Sequence, residues 1–414
     1  MLRVIISLLM FLASVILPLQ VGAFSVFDEG KISQNTREKL NKSSSEVDFL
    51  NRVYFDILSQ DTYKSNNNQN ELIRTSARVD LVSQLYYDKK WFIYTNFRVN
   101  EQGLASNEFN SIQVTPENGN DQFFSSHNGV IRELNIGYEN DDYKVFAGKF
   151  RPKFGYAWNL GRGVFTNSLS SSYMQSERIG AGVEVKAGDK ERTGAYNLGL
   201  SVYKYDGKYL DNSLITSRRG VSKSDAVASD TKNPESFTVH LDIDFDLKSG
   251  KELFYRFAYS KQKFDNKFLT NNSSVQSPYG DQKAYSLTMN YKVPFGKDFS
   301  LDSLLEYVDT ESLEGSLNVN KDSVTNISVI TNIYRNWNIT GGVAERRVLT
   351  TNGGIASKAI DSELTMGYTL DKESYFDGLQ VQLGMAESRV VDITSSSLDK
   401  RRGGVALLRY VKNI

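Results

Sequence analysis

The sequence predicts an all-β chain: a transmembrane antiparallel β-barrel of about sixteen strands, with its third long loop folded into the lumen. Three observations carry this. Apolar and polar residues alternate with a period of two from residue 49 onward. Short and long connections alternate between those runs. Aromatic residues gather beside the short connections.

The period is clearest in 236–247. There Phe237, Val239, Leu241, Ile243, Phe245 and Leu247 alternate with Thr238, His240, Asp242, Asp244 and Asp246. In 72–87, Ile73, Val79, Leu81 and Leu85 share one face, and Arg74, Ser76, Arg78, Asp80 and Gln84 the other. Successive strand side chains point to opposite faces, so each run has one greasy side and one wet side. A helix would need spacings of three and four. Sixteen such runs are predicted: 49–60, 72–87, 90–100, 130–139, 143–150, 178–187, 194–205, 236–247, 252–263, 283–293, 299–310, 325–335, 337–349, 359–370, 378–390 and 403–412. Most have about the 9–11 residues that cross a bilayer at a tilt.

The connections between these runs are short at Asp88-Lys89, 140–142, 188–193, 248–251, 294–298, Asn336 and 371–377. They are long at 61–71, 101–129, 151–177, 206–235, 264–282, 311–324, 350–358 and 391–402. Membrane barrels have this asymmetry, with short turns on one side and longer loops on the other. Tyr86, Tyr87, Trp91, Tyr138, Tyr143, Phe295, Phe299, Tyr334, Trp337 and Tyr368 lie near the short turns, where an amphipathic ring suits the headgroup level. In hydrocarbon every backbone polar group needs a partner within the protein, so the sheet must close. A barrel of about sixteen strands is too wide to be filled by its own side chains and holds water.

Composition agrees. The 414 residues include 23 Tyr, 23 Phe, six Pro and no Cys, and mean hydropathy is −0.41. Only the N-terminus approaches the length and greasiness of a membrane helix. Arg3, the apolar run Val4–Leu17 and the small-residue exit Val21-Gly22-Ala23 read as a secretion signal spanning 1–23, cleaved after Ala23. Residues 24–48 form a polar periplasmic lead-in, and 49–414 the barrel. With 49 Lys+Arg against 49 Asp+Glu, the chain is not a generic nucleic-acid binder.

The stretch Arg151–Glu177 is too long for a hairpin turn and too aromatic and glycine-rich for a plain solvated loop. It is read as the segment that narrows the hole. Its constriction candidates are Arg151, Lys153, Tyr156, Trp158 and Arg162, joined by Arg74, Arg78 and Arg98 from strand faces on one flank. Asp242, Asp244, Glu306, Asp361 and Glu363 would form an opposing acidic flank. Opposed charge in a narrow lumen sets ion preference, and the basic loop predicts an eyelet that favours anions.

The architecture resembles the bacterial general porins over roughly residues 49–414. The resemblance rests on the signal sequence, the dyad-repeat strands, the long third loop, and GKFRPKFGYAW (148–158), which is similar to the patterns where porin strands enter that loop. It implies an outer-membrane channel for small hydrophilic solutes and ions, surrounded by lipid and assembled as a homotrimer. Two departures stand out: the chain ends Tyr410-Val411-Lys412-Asn413-Ile414 without a terminal aromatic, and its third loop is basic rather than acidic.

Three other functions can be set against the residues: an enzyme, a substrate-specific channel and a non-conducting surface protein. His127 and His240 are the only histidines, and neither sits with a nucleophile and an orienting group. Gly161-Arg162-Gly163 lacks the third glycine of a phosphate loop. No enzyme activity, cofactor or metal is expected. A substrate-specific channel for a sugar, phosphate or other anion would use Tyr156, Trp158 and Tyr173 as an aromatic track, whereas the plainer reading packs those rings against the wall. A non-conducting surface β-protein or adhesin would pass no current.

Overall fold

The computed structural model describes residues 46–66, 71–101, 122–123, 127–157, 167–175, 178–205, 229, 231–247, 250–263, 281–312, 319–334, 336–350, 354–370, 378–393 and 397–413. The expected leader and nearly all of the lead-in lie outside these residues.

The described strands are β1 (Val47–Ser65), β2 (Ile73–Tyr87), β3 (Trp91–Glu101), β4 (Gln122–Phe123), β5 (His127–Glu139), β6 (Tyr143–Phe150), β7 (Arg178–Asp189), β8 (Gly194–Tyr205) and β9 (Ser236–Leu247). They continue with β10 (Lys251–Gln262), β11 (Gln282–Phe295), β12 (Phe299–Glu311), β13 (Val319–Ile333), β14 (Trp337–Thr350), β15 (Ile355–Thr369), β16 (Gln380–Asp392) and β17 (Ser397–Asn413). Leaving aside β4, each strand pairs antiparallel with its neighbours in sequence. Pairing of β1 with β17, from Arg52↔Asn413 to Ser65↔Arg401, closes a sixteen-strand barrel. Strand β3 leaves β2 at Val79↔Val99, and β4 then pairs in parallel with Arg74 and Thr75, so part of the exposed edge of β2 is covered.

All sixteen predicted runs are strands. Those in the last third run longer on the outer side than expected, because the alternation continues there with charged residues in the outward positions. As a result the connections expected at 350–358 and 391–402 shrink to 351–354 and 393–396. The turn between β15 and β16, at 370–379, is longer than either. Strict alternation of long and short connections therefore fails at this end of the chain.

The two faces sort by parity. Outward positions such as Val185, Leu198, Leu287, Leu305, Leu364 and Met366 are exposed apolar residues. Inward positions such as Asp56, Asp80, Asn96, Thr238, Thr288, Glu306, Asn326, Thr340 and Asp361 are polar and buried within the barrel. At the short-turn end Trp91 meets Tyr138 at 5.1 Å between ring centroids, Phe299 meets Tyr334 at 5.5 Å and Trp337 meets Tyr368 at 4.7 Å. A second girdle, not anticipated from the sequence, links Phe237, Tyr259 and Tyr285 near the long-loop end. On β11, Tyr285 and Phe295 face outward ten residues apart. At a rise of about 3.4 Å per residue and a tilt of about 40°, that is roughly 26 Å, the height of a hydrocarbon band.

Candidate functional site: the inner loop and its lumen wall

The described parts of the connection from β6 to β7, Arg151–Ala157 and Asn167–Gln175, lie in the lumen and meet the far wall. Phe154, Leu169 and Tyr173 pack on Ala258, Ala284, Val308, Val324, Ala344 and Ala359, inward positions of β10 to β15. These are small apolar residues where a water-lined wall would carry polar ones. Together they form a dry seat for the loop. Tyr156 and Ala157 pack on Leu304 and Phe254. Gly155 has φ +65°, and a Cβ there would lie 2.5 Å from the Tyr173 ring, so the bend accepts only glycine without rearrangement.

Glu306 on β12 is the polar centre of this seat. The backbone N–H groups of Tyr156 and Ala157 donate to it at 2.5 and 3.1 Å, Thr288 Oγ1 at 2.5 Å, and the Tyr173 hydroxyl as well. Arg256 donates to the Gly155 carbonyl at 3.1 Å and lies over the Tyr156 ring. Further along, Asn326 donates to Ser170 at 2.9 Å, and Gln175 donates to Ser260 at 2.7 Å. Burial, and then the Glu306 carboxylate beside it, push the Tyr173 phenol well above its ordinary pKa.

Register brings three of the five acidic candidates, Asp242, Glu306 and Asp361, into one inward row: Asn197, Asp242, Arg256, Thr288, Glu306, Asn326, Ala344 and Asp361 pair in succession across β8 to β15. Asp242 is gripped by Arg256 at 2.7 and 2.8 Å. Asp244 pairs with Lys190 near a short turn, away from the loop. Glu363 is buried two residues from Asp361 on β15.

The basic candidates are interleaved with acids of their own. Arg409 donates to Asp56 at 2.8 and 3.1 Å, Arg78 pairs with Asp56 and lies 3.4 Å from Asp80, and Arg98 donates to Asp80 at 3.0 Å. Arg151 donates to Glu133 at 2.7 Å, and Lys153 to Glu184 at 2.9 Å. Burial alone would lower the Lys153 pKa, but Glu184 and Asp242 outweigh it and hold the ammonium above its usual range. Arg74 pairs in register with Gln60 at the outer end of β2. Trp158 and Arg162 lie outside the described residues.

The lumen therefore does not divide into a basic bank and an acidic one. Asp56, Asp80, Glu133 and Glu184 sit among the cations, and Arg256 sits among the acids. Of these, Asp80 was visible as an inward residue of β2, whereas Asp56 was hidden by the poor alternation of β1. Tyr156 and Tyr173 are packed against the wall rather than lining a track. His240 lies across Gly199, where a Cβ would fall 2.0 Å from its ring, and it faces Glu184 along the row Glu184, Gly199, His240.

No protein-family model and no curated protein matches the sequence. Solved structures match in fold. OprB of Pseudomonas putida, in its high-pH structure, superposes with a TM-score of 0.55 at 11% identity, covering 94% of this chain and 99% of that one. OccAB3 of Acinetobacter baumannii (TM-score 0.49, 9% identity, 89% of this chain and 100% of that one) is also similar. So is the outer membrane channel DcaP of the same organism (TM-score 0.49, 13% identity, 88% and 96%). The chain has the closed sixteen-strand fold of the Gram-negative outer-membrane porins. At these identities the likeness, carried by OprB, is one of fold.

Proposed function

We propose that this protein is an outer-membrane porin, a water-filled channel through which small hydrophilic solutes and ions diffuse passively. The observation that carries the reading is the closed barrel with a greasy outer face and a polar inner face, its lumen holding a loop seated on the far wall. A fold that only anchored or displayed loops would have no use for a wet interior of this width. The reading includes export with cleavage after Ala23, residence in the outer membrane and assembly as a homotrimer, and it assigns the protein no catalytic role.

The constriction is proposed to lie between the loop and the arginine wall of β2, β3 and β17. Arg409, Arg78 and Arg98 alternate with only Asp56 and Asp80, so the wall keeps an excess of positive charge. Opposite it, Asp242 is matched by Arg256, and Glu306 is occupied by donors from the loop. Low-dielectric walls focus such an excess, and anions are favoured.

Purified protein in a planar bilayer should give stepwise, ohmic openings, with reversal potentials in a salt gradient that indicate anion preference. Cation preference would remove the charge assignment. A folded protein that passes no current would favour the adhesin reading. Current blocked saturably by one sugar or by phosphate would favour a substrate-specific channel.

A further inference from the structure

The second aromatic girdle does not run all the way round. On β9 to β11 the outer level carries Phe237, Tyr259 and Tyr285. On β14 to β17 the corresponding outward positions carry cations. Arg347 is ten residues from Trp337 on β14, and Lys358 is ten residues from Tyr368 on β15, the same spacing that separates Tyr285 from Phe295. Both cations therefore stand at the headgroup level. Parity puts them outside: they share faces with the exposed Val343 and Leu364.

Arg389, Arg402 and Lys400 complete the patch, with Arg389↔Lys400 and Glu387↔Arg402 paired in register across β16 and β17. Two carboxylates hold the five cations in place. Glu345 bridges Arg347 and Lys358, and Glu387 bridges Arg389, Arg402 and Lys400. The patch keeps three positive charges in excess. The Arg347 and Arg389 side chains remain about half exposed, at 53% and 52%.

We propose that this outward face of β14–β17 binds the phosphate groups of an anionic outer-leaflet lipid headgroup. The proposal rests on the outer-membrane reading above. An outward cation at the edge of hydrocarbon needs a counter-charge, and the two glutamates supply too few. Guanidinium groups match phosphate oxygens with paired, charge-assisted donors. Basic clusters beside a membrane surface attract anionic lipid. The glutamates pre-arrange the long side chains, so less ordering is left to the lipid.

The test is native mass spectrometry of the full-length protein mixed with bisphosphorylated lipid A, beside the same lipid stripped of phosphate. Wild type should retain the phosphorylated lipid. Arg347→Gln/Arg389→Gln/Arg402→Gln should bind it about a hundredfold more weakly, each cation contributing a factor of about five. Lys261→Gln/Lys283→Gln, two residues beyond the aromatic level on β10 and β11, should bind as wild type does. If the triple variant does not fold, the single variants should each show the fivefold loss. Equal retention by wild type and variant, or equal retention of the phosphate-free lipid, overturns the proposal. So does a fall in oligomer mass with lipid retention unchanged, which would make this face a contact between copies. Single-channel conductance on the same samples separates the two readings. Current without phosphate-dependent lipid binding sinks the lipid site alone, and a folded, lipid-retaining protein without current sinks the channel alone.

Discussion

Tyr173 donates its hydroxyl to Glu306, joining the far end of the inner loop to β12 on the opposite wall. The same carboxylate receives the amides of Tyr156 and Ala157, so one side chain fixes both limbs of the loop. Hydrogen bonds to a charged group contribute about 1.5–3 kcal/mol each. Glu306→Gln should free the loop and give larger, noisier single-channel currents, and Tyr173→Phe a smaller change in the same direction. Currents indistinguishable from wild type in both variants would show that the apolar seat holds the loop alone.

Asp56 is fully buried between Arg78 and Arg409. Removing one partner of a buried charge cluster leaves the others uncompensated, at a cost of about 3–5 kcal/mol. Asp56→Asn should lower the temperature at which the barrel loses its heat-modifiable gel migration, and should also raise anion preference. Asp244→Asn, in a half-exposed pair near a short turn, should do neither.

Gly199 leaves the space that the His240 ring occupies. Gly199→Ala should destabilise the barrel by about 1–3 kcal/mol through overpacking, and the double variant Gly199→Ala/His240→Ala should recover most of that loss. No recovery would mean that the strand backbone, rather than the ring, objects to the methyl group.

Two groups of the inner loop, Lys153 and Tyr173, have pKa values above their ordinary ones. A raised value means the seated loop holds the proton more tightly than a released loop does. Their contribution is therefore complete below the ordinary values of about 10 to 10.5, and fades as pH climbs through the raised ones. Channel conductance should stay level from pH 5 to about 9.5 and become noisy above about pH 10.5. A transition near neutrality would show that another group controls the loop.

The strands were legible because odd–even sorting is a local property, visible within any run of ten residues. The outer ends of β15 and β17 were not, because Lys358, Lys400 and Arg402 continue the alternation with charge in place of grease. The loop's place in the lumen followed from its length and aromatics. Its seat did not: Ala258, Val308, Val324 and Ala359 are single small residues on separate strands, and only register aligns them. The same holds for the ion pairs. Arg78 and Arg98 could be named from β2 and β3, but their partners Asp56 and Asp80 are set by cross-strand pairing, which one sequence does not display.

The berth that receives the inner loop is built from β10 to β15, while the loop itself departs from β6. Until those later hairpins are in place, Phe154, Leu169 and Tyr173 have nowhere dry to go. The order of assembly is thereby constrained: the C-terminal half must be laid down as a sheet before the plug can settle. A chain cut short before β12 would keep several good hairpins yet leave two rings and a leucine exposed to water, ready to stick to whatever hydrophobic surface they next encounter.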